Sequence, residues 1–519
     1  MNNKDKLDLI LLNGTVVLPN ETIEQLDLGI KDGVIKEIGN LSRSSSIKKI
    51  NLRKLTVLPG AIDTQVHFRE PGLIHKEDIS HGTMAAILGG ITTIFEMPNT
   101  SPATINKKQL DIKLKIADSH AYCNYSFFIG AAKKNISHLS FLESLEGCCG
   151  VKIFMGSSTG DLLVEDDDSL RKILSSVNRR VAIHSEDEYR LRDRKNILEK
   201  KDVSIVDHPI WRDEITAIKS TQRLIKIANE VKKKIHILHI STKDEIEIIK
   251  NNKKFVTCEA TPQHLFFQSP ECYEKLGSLA QMNPPIRDKS HQAGLWKGIV
   301  DKTVDVVGSD HAPHTLAEKM KPYPKSPSGM AGVQTLLPIM LNFVNDGKLS
   351  IHDLVRLVSY NPCKIYNIKK KGQIKIGFDA DLVVHVLTDA AHAVLAHVAQ
   401  DVLVHRAQLL LLELVRIGEG EVRHVELAGL HVPEALRVHR DGALRLVLDD
   451  LVPEGHDEQH PVKGLLPIVP IGRVDRQQAL DEHQLVQHAD RVFVLNVHLV
   501  HVGQRDVRVV RVLPKVSLP

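Results

Sequence analysis

The chain has 519 residues, of which 42% are hydrophobic and 25% charged, and its formal net charge is +4. This composition is typical of a water-soluble protein of several domains, gives no case for a nucleic-acid partner, and contains no apolar run near the roughly 20 residues that span a membrane. Because the first residues lack the features of a secretory signal and the six cysteines lack the spacing of a disulfide-rich domain, we expect a cytoplasmic protein.

The first 57 residues consist of short apolar runs separated by turn residues. Asn13-Gly14 and Asp32-Gly33 each stand between two such runs, and both pairs are typical of two-residue hairpin turns. The sequence therefore predicts that residues 1–57 form the N-terminal part of a small antiparallel β domain.

From residue 58 onward, short apolar strands alternate with helical segments, which is typical of parallel βα units. Strands are predicted at 58–67, 91–98, 121–129, 150–155, 181–186, 235–241, 255–260 and 304–310. Eight such strands in series predict an α/β fold, a TIM-like (β/α)8 barrel over residues 58–364. Its chemistry is expected at the carboxyl ends of the strands.

The residues that end these strands have side chains able to bind metals. They are His67, Asn99, Lys152, His184, His239 and Asp310. Nitrogen and oxygen ligands that reach one barrel face from separate strands are suited to Zn²⁺. A strand-end histidine satisfied by hydrogen bonds is a fair alternative for one residue, but a poor one for the whole set.

The chain is predicted to return to the N-terminal β unit at 365–384, and its composition then changes. Residues 1–384 contain 41 Lys and 13 Arg, whereas residues 385–519 contain 2 Lys, 12 Arg and 13 of the 27 His. We expect this atypical tail, of uncertain fold, to come from a fusion or from an assembly or reading-frame artefact. Codon usage that matches one genome on both sides of residue 384 would contradict this.

Seven segments carry a family pattern, in order along the chain. They are PGAIDTQVHFREPG (59–72), FEMPNTSP (95–102), GVKIFMGSSTG (150–160), AIHSEDE (182–188), ILHIST (237–242), MNPPIR (282–287) and VGSDHAPH (307–314). Together they resemble the cyclic-amidohydrolase branch of the amidohydrolase superfamily, and more narrowly class I dihydroorotase. The resemblance covers about residues 7–384 and implies a metal-dependent hydrolase with a small β-sandwich domain beside the barrel.

The resemblance also implies a centre of one or two Zn²⁺ ions. The ligands that it implies are His67, Lys152, His184, His239 and Asp310. Lys152 would be carboxylated by CO₂ and bridge the ions, and the apolar residues around it favour the uncharged amine that captures CO₂. Asp310 would also carry a proton from the attacking water to the leaving ring nitrogen.

Two positions depart from the family pattern. Gln65 stands where the first histidine of a His-x-His pair is expected, and a glutamine carbonyl is a poorer zinc ligand than imidazole. Gln263-His264 stands where two consecutive histidines are expected. These departures keep open a second interpretation, in which the chain is a catalytically silent dihydroorotase-like subunit that supports an aspartate carbamoyltransferase-type partner.

The substrate that the resemblance implies is a small molecule with a carboxylate. Dihydroorotate alone among the family's cyclic amides carries a ring carboxylate, which a guanidinium can bind through two parallel hydrogen bonds. Arg69, Asn99 and His314 would hold it, and Asn283 would contact the ring. Hydantoinase-like and allantoinase-like relatives lack this arginine. The resemblance thus favours reversible hydrolysis of dihydroorotate to N-carbamoyl-aspartate, in pyrimidine biosynthesis, over a third interpretation as another cyclic amidase, and it implies a homodimer.

Overall fold

The structure is a computed structural model that describes residues 6–385, except 54 and 157–161, together with short strands between 436 and 512. Those strands are Leu436–Val438, Leu444–Leu446, Phe493–Asn496, Leu499–Val502, Arg505–Arg508 and Arg511–Val512. Most of the predicted tail, 385–519, therefore lies outside the described residues. None of the helices described is both long and apolar enough to cross a membrane.

The chain begins with a small β domain. Its strands are β1 (Leu7–Val17), β2 (Ile23–Lys31), β3 (Val34–Gly39), β4 (Ser46–Asn51) and β5 (Thr56–Pro59). β1 pairs antiparallel with β2 but parallel with β4 and β5, so the sheet is mixed and not purely antiparallel as predicted. Leu9, Leu28 and Ile35 are fully buried in its own hydrophobic core.

The two predicted hairpin turns have different outcomes. Asp32 and Gly33, with φ values of 53° and 71°, do connect β2 to β3. The prediction of a hairpin at Asn13-Gly14 is wrong, because both residues lie inside β1. Asn13 adopts φ 59° at a β-bulge, where its backbone N–H donates to Asp27 Oδ1 over 2.7 Å. The left-handed conformation that favours Asn in a turn is used here to bulge a continuous strand.

An eight-stranded parallel barrel follows. Its strands are β6 (Ala61–Val66), β7 (Ile91–Glu96), β8 (Asn124–Gly130), β9 (Cys148–Phe154), β10 (Val181–His184), β11 (Ile235–Ile237), β12 (Val256–Ala260) and β13 (Val306–Val307). Each strand pairs with the next one along the chain. After the barrel, β14 (Asp381–His385) pairs antiparallel with β5, and Phe493–Asn496 pairs antiparallel with β14.

In the described structure the backbones of the first and last barrel strands meet at His311, and side chains such as Ser309 and Asp63 add further contacts between these strands. An isolated parallel bridge joins Val66 to His311, and the backbone N–H of His67 donates to His311 O over 2.7 Å. The ring of His311 is fixed by Glu77 Oε2 at 2.7 Å from Nε2 and by the backbone N–H of Gly332 at 3.0 Å from Nδ1. This barrel, with its separate β domain, confirms the predicted fold class. The domain limits at 1–57, 58–364 and 365–384 stay predictions.

Helices cover the outside of the barrel. They are α1 (Ile79–Leu88), α2 (Lys107–His120), α3 (Leu139–Leu142), α4 (Asp167–Ser176), α5 (Glu188–Asp193), α6 (His208–Trp211), α7 (Glu214–Glu230), α8 (Lys243–Lys250), α9 (Pro262–Phe266), α10 (Glu271–Leu276), α11 (Lys289–Val300), α12 (Leu316–Lys319), α13 (Leu336–Asn345), α14 (Ile351–Val355) and α15 (Asn361–Tyr366). Several begin with a side-chain cap, as α7 does at Asp213. Ala217, Leu224 and Ala228 of α7 are buried at helical spacing, which turns one face of the helix to the barrel.

Strand alternation decides which side chains enter the barrel. Val151 and Ile153 of β9 belong to the large core shared with the surrounding helices. Because successive side chains of a strand point to opposite faces, Lys152 between them points into the barrel. The apolar floor of the interior includes Phe128 and Leu238.

Candidate active site

The candidate residues lie at the carboxyl end of the barrel, where this fold places its chemistry. His67 directly follows β6, His184 ends β10, and Lys152 lies inside β9 near its end. His239 and Asp310 follow β11 and β13, and their φ values of 35° and 47° are left-handed. Such a conformation is rare for residues other than Gly and Asn, and is often found at functional sites.

His184 and His239 face each other. His184 Nδ1 lies 3.0 Å from His239 Nε2, and His184 Nε2 lies 2.9 Å from Glu186 Oε2. Burial would raise the pKa of Glu186, but Arg212 and His184 lower it to about 2, so the carboxylate is ionised. Because a carboxylate only accepts, His184 carries its proton on Nε2, and the lone pair of Nδ1 points towards His239.

Lys152 is a buried amine without a hydrogen-bond partner among the described residues. Its side chain is fully buried, and Nζ lies 4.5 Å from the centre of the Phe154 ring. Burial lowers the pKa of Lys152 to about 7, although the carboxyl groups of Asp310 and Glu259 oppose this. A substantial fraction of the amine is therefore uncharged near neutral pH.

Asp310 is the centre of a second cluster, which joins residues on or just after β6 and β13, the first and last barrel strands. Its Oδ1 accepts a 2.7 Å hydrogen bond from Gln65 Nε2 and lies 3.3 Å from His67 Nε2. His67 Nδ1 lies 2.6 Å from Asn99 Oδ1. Burial would raise the pKa of Asp310, but the hydrogen bond with His67 and the charge of His239 hold it below its usual value. Asp310 is thus an ionised, buried carboxylate.

These two clusters fall short of a metal site built from common ligands alone. No three His, Cys, Asp or Glu side chains in the described part of the chain converge as a set that could hold a metal ion. His184 and His239 supply two nitrogens, so an ion there needs a third ligand of another type. Among the described residues, Lys152 on the neighbouring strand would add oxygen ligands if it were modified to a carbamate.

Arg69 and His314 form a third group, of N–H donors. Arg69 donates from Nε to Pro313 O over 3.1 Å, and its Nη2 lies 3.3 Å from His314 Nε2. His314 Nδ1 lies 3.1 Å from the Lys76 ammonium, which can only donate, so Nε2 carries the ring proton and donates to Ser328 O over 3.0 Å. Arg69 and His314 therefore place two N–H donors side by side, of which that of His314 already donates to Ser328 O.

The other two predicted substrate residues, Asn99 and Asn283, have different surroundings from Arg69 and His314. Asn99 hydrogen-bonds to His67 and thus belongs to the Asp310 cluster. Asn283 has a buried side-chain oxygen that finds no hydrogen-bond partner in the described structure. An unpaired buried acceptor at the barrel mouth is available to a ligand.

Sequence reasoning missed two buried acids next to the candidate site, Glu186 and Glu259. Glu186 is fully buried between His184 and Arg212, and only its position two residues after His184 could have indicated this role. Glu259 accepts a hydrogen bond from Thr64 beneath the site, and burial raises its pKa to about 8. A buried acid on a strand is indistinguishable in sequence from one at a solvated strand end.

The second departure from the family pattern has a structural explanation. His264 Nδ1 lies 2.8 Å from Thr261 Oγ1, and its Nε2 lies 3.1 Å from Pro284 O. Gln263 Nε2 donates to Ser309 O over 2.9 Å. Both side chains therefore tie α9 to the loops around it.

The family model of the amidohydrolase family matches residues 56–404, which extends past residue 384. A dihydroorotase of Methanosarcina acetivorans is 34% identical over 390 residues, covering 72% of this chain and 83% of that protein. Dihydroorotases of Methanosphaera stadtmanae and Pyrococcus horikoshii are 35% and 34% identical, over 71% and 73% of this chain and 86% and 82% of theirs.

Solved structures that resemble the chain come from a neighbouring group of enzymes. An L-hydantoinase (dihydropyrimidinase) of Arthrobacter aurescens superposes with a TM-score of 0.69 at 26% identity, covering 73% of this chain and 86% of that one. A dihydropyrimidinase of Brevibacillus agri gives a TM-score of 0.68 at 25% identity, with the same coverage.

Proposed function

The chain belongs to the amidohydrolase family and, within it, to the dihydroorotases, and we propose that it hydrolyses the cyclic amide of dihydroorotate to N-carbamoyl-aspartate, reversibly, as a step of pyrimidine biosynthesis. The observation that carries the choice of substrate is the pair of N–H donors formed by Arg69 and His314. The two donors lie 3.3 Å apart, and the N–H of His314 already donates to Ser328 O, so Arg69 is the donor that a substrate would engage first. A substrate carboxylate beside them would accept from Arg69 Nη2 and share the His314 N–H with Ser328 O.

We propose that a divalent metal ion, Zn²⁺ by its ligand preference, is bound by His184, His239 and carboxylated Lys152. The unpartnered, buried amine of Lys152 and the facing nitrogens of the two histidines support this. An ion held there would polarise the ring carbonyl and lower the pKa of water. Carboxylation of Lys152 consumes the uncharged amine and CO₂, releases one proton and leaves an anionic carbamate.

The chain's own residues would orient the substrate and move the proton. Arg69 and His314 would fix the ring carboxylate, and Asn283 would contact the ring through its free carbonyl oxygen. Asp310, ionised and buried, would accept a proton from the attacking water as the new C–O bond forms. It would then deliver that proton to the ring nitrogen as the C–N bond breaks.

Purified full-length chain, supplied with Zn²⁺ and bicarbonate, tests this function directly. We expect turnover of dihydroorotate and of N-carbamoyl-aspartate, and little turnover of hydantoin or dihydrouracil, which lack the carboxylate. Equal rates on the rings without a carboxylate would refute the assignment in favour of a hydantoinase-like activity. That second candidate is favoured only by the similarity to hydantoinase structures, and its substrates would offer no carboxylate to Arg69.

We further propose a cytoplasmic homodimer. All six cysteines are free thiols, and this supports a reducing compartment. If the chain proves inactive with metal bound, a supporting role beside an aspartate carbamoyltransferase-type partner becomes the better account. Co-purification with such a partner would then be the measurement to make.

A further inference from the structure

We propose that this chain binds one divalent metal ion, at His184, His239 and Lys152, and that the side-chain amide of Gln65 takes the place of a second ion beside Asp310; the proposal rests on the metal-dependent function proposed above. The two clusters at the barrel mouth differ in a way that decides between them. In the first, two imidazole nitrogens face one another at 3.0 Å and the buried amine of Lys152 has no hydrogen-bond partner among the described residues. In the second, an N–H donor already occupies the carboxylate of Asp310.

In the first cluster, the geometry already resembles shared coordination. Glu186 fixes the proton of His184 on Nε2, so Nδ1 directs a lone pair towards His239 Nε2 at 3.0 Å. Two imidazole nitrogens bound to one tetrahedral Zn²⁺ at 2.0–2.1 Å lie about 3.3 Å apart. An ion can therefore enter between these rings if their nitrogens move apart by a few tenths of an ångström. The carboxylate of Glu186 orients His184 through the hydrogen bond to its other ring nitrogen.

Lys152 completes this cluster because no hydrogen-bond acceptor in the described structure engages its amine. The Nζ atom is buried and has no hydrogen-bond partner there. A buried amine without a partner is costly unless it gains one. As a carbamate, it would offer oxygen to an ion shared with the two histidines.

In the second cluster, Gln65 already donates to one carboxylate oxygen of Asp310, the one that lies next to His67. Its amide Nε2 donates to Asp310 Oδ1 over 2.7 Å, and its own carbonyl oxygen has no partner among the described residues. A metal at this oxygen would have to displace an N–H donor. Turning the amide over would place its carbonyl oxygen against a carboxylate, and that carbonyl is a weak ligand for zinc.

The N–H donor of Gln65 thus stabilises the negative charge of Asp310, which is part of what a second cation would do there. Asp310 keeps an ionised oxygen in a buried place because the amide and His67 surround it. His67 alone contributes a nitrogen on this side, and one imidazole with one occupied carboxylate makes a poor site. Restoring histidine at position 65 would remove the competing donor and add a second nitrogen.

Counting ions on the full-length chain tests the proposal without reference to activity. The chain is stripped with chelator, reconstituted with Zn²⁺ and bicarbonate, desalted and analysed for zinc per chain. Wild type and His67→Ala are expected to hold one ion, His239→Ala none, and Gln65→His two. Gln263→His is the matched control, because Gln263 is another buried glutamine at the barrel mouth; this variant is expected to stay at one ion.

Two ions or none in the wild type would overturn the proposal, and so would one ion in a folded Gln65→His variant. If that variant fails to fold by circular dichroism, titration of the wild type with Co²⁺ decides alone. A visible absorption that saturates at one equivalent supports the proposal, and saturation at two refutes it. Turnover measured on the same samples keeps the questions separate: an active chain with two ions sinks only this inference, and an inactive chain with one ion sinks only the proposed function.

Discussion

Replacing Glu186 by glutamine would remove one negative charge from behind the candidate site while keeping the shape of the side chain. Glu186 Oε2 accepts from both His184 and Arg212, whereas Oε1 has no partner among the described residues. The amide carbonyl can therefore take the position of Oε2, and both hydrogen bonds survive. What disappears is the charge that compensates the buried guanidinium of Arg212.

The size of the effect follows from burial. The Arg212 side chain is 2% exposed and that of Glu186 is fully buried. Removing one partner of a buried ion pair costs about 3–5 kcal/mol, because the other charge is left uncompensated. A second guanidinium, Arg287, donates to the backbone oxygen of Arg212 and also interacts with the charge of Glu186, so glutamine weakens the compensation of two cations. We expect a loss near the upper end of that range in the free energy of unfolding.

Urea unfolding of the metal-free chain measures this loss. Tryptophan fluorescence is a suitable signal, because the Trp211 ring lies 4.8 Å from Arg212 Cζ. Glu188→Gln is the control: its partner Arg192 is 54% exposed, so the change should stay below about 1 kcal/mol. Replacing both Glu186 and Arg212 by methionine should recover most of the loss.

A free energy of unfolding for Glu186→Gln within about 1 kcal/mol of the wild type would contradict this role of Glu186. A double methionine variant no more stable than Glu186→Gln would contradict it as well. Either result would mean that the charge of Glu186 does not compensate Arg212.

Three further predictions concern the substrate end and the interior. Arg69→Met should raise KM for dihydroorotate at least about tenfold, since a charge-assisted hydrogen bond contributes about 1.5–3 kcal/mol; steady-state kinetics showing an unchanged KM would contradict it. Glu259 has its pKa raised by burial from 4.5 to about 8, so its contribution to stability is full below the unfolded pKa and is lost as pH rises through 8. Burial also raises the pKa of Asp63 and of Glu96 to about 7, so Glu259→Gln should reduce the pH dependence of urea unfolding in this window without abolishing it, and a pH dependence equal to that of the wild type would refute the assignment. Lys319 donates to the carbonyl oxygens of Pro327 and Gly329, which flank Ser328, the acceptor of His314. Lys319→Met should therefore lower the free energy of unfolding by about 2–4 kcal/mol and raise KM for dihydroorotate. A melting temperature and a KM equal to those of the wild type would argue against this.

Local patterns predicted much of this architecture because they depend on near neighbours. The alternation of strands and helices gave the barrel, and the rule for strand ends brought His67, Lys152, His184, His239 and Asp310 to one face. What local patterns could not predict are contacts between distant parts of the chain. Gln65 and Asp310 lie 245 residues apart, and their hydrogen bond depends on the closed barrel.

Local signals also mislead where one conformation serves two purposes. Asn13-Gly14 has the left-handed preference of a hairpin turn, and the structure uses it for a bulge inside β1. Whether it becomes a turn or a bulge depends on Asp27, which accepts the freed N–H from the next strand. No pattern within a few residues of Asn13 reports that partner.

The backbone contact at His311 between the first and last barrel strands sets an order of events during synthesis on the ribosome. The first barrel strand cannot find its last neighbour until residue 311 has left the exit tunnel, so the edge of β6 stays open while the seven following strands are made. An open parallel edge exposes backbone donors and acceptors to other nascent chains. Closure then unites Gln65 with Asp310 in the same step that joins the edges, so the barrel acquires its candidate proton carrier only when the ring is complete. Nascent fragments that end before residue 311 are therefore expected to depend most on chaperones.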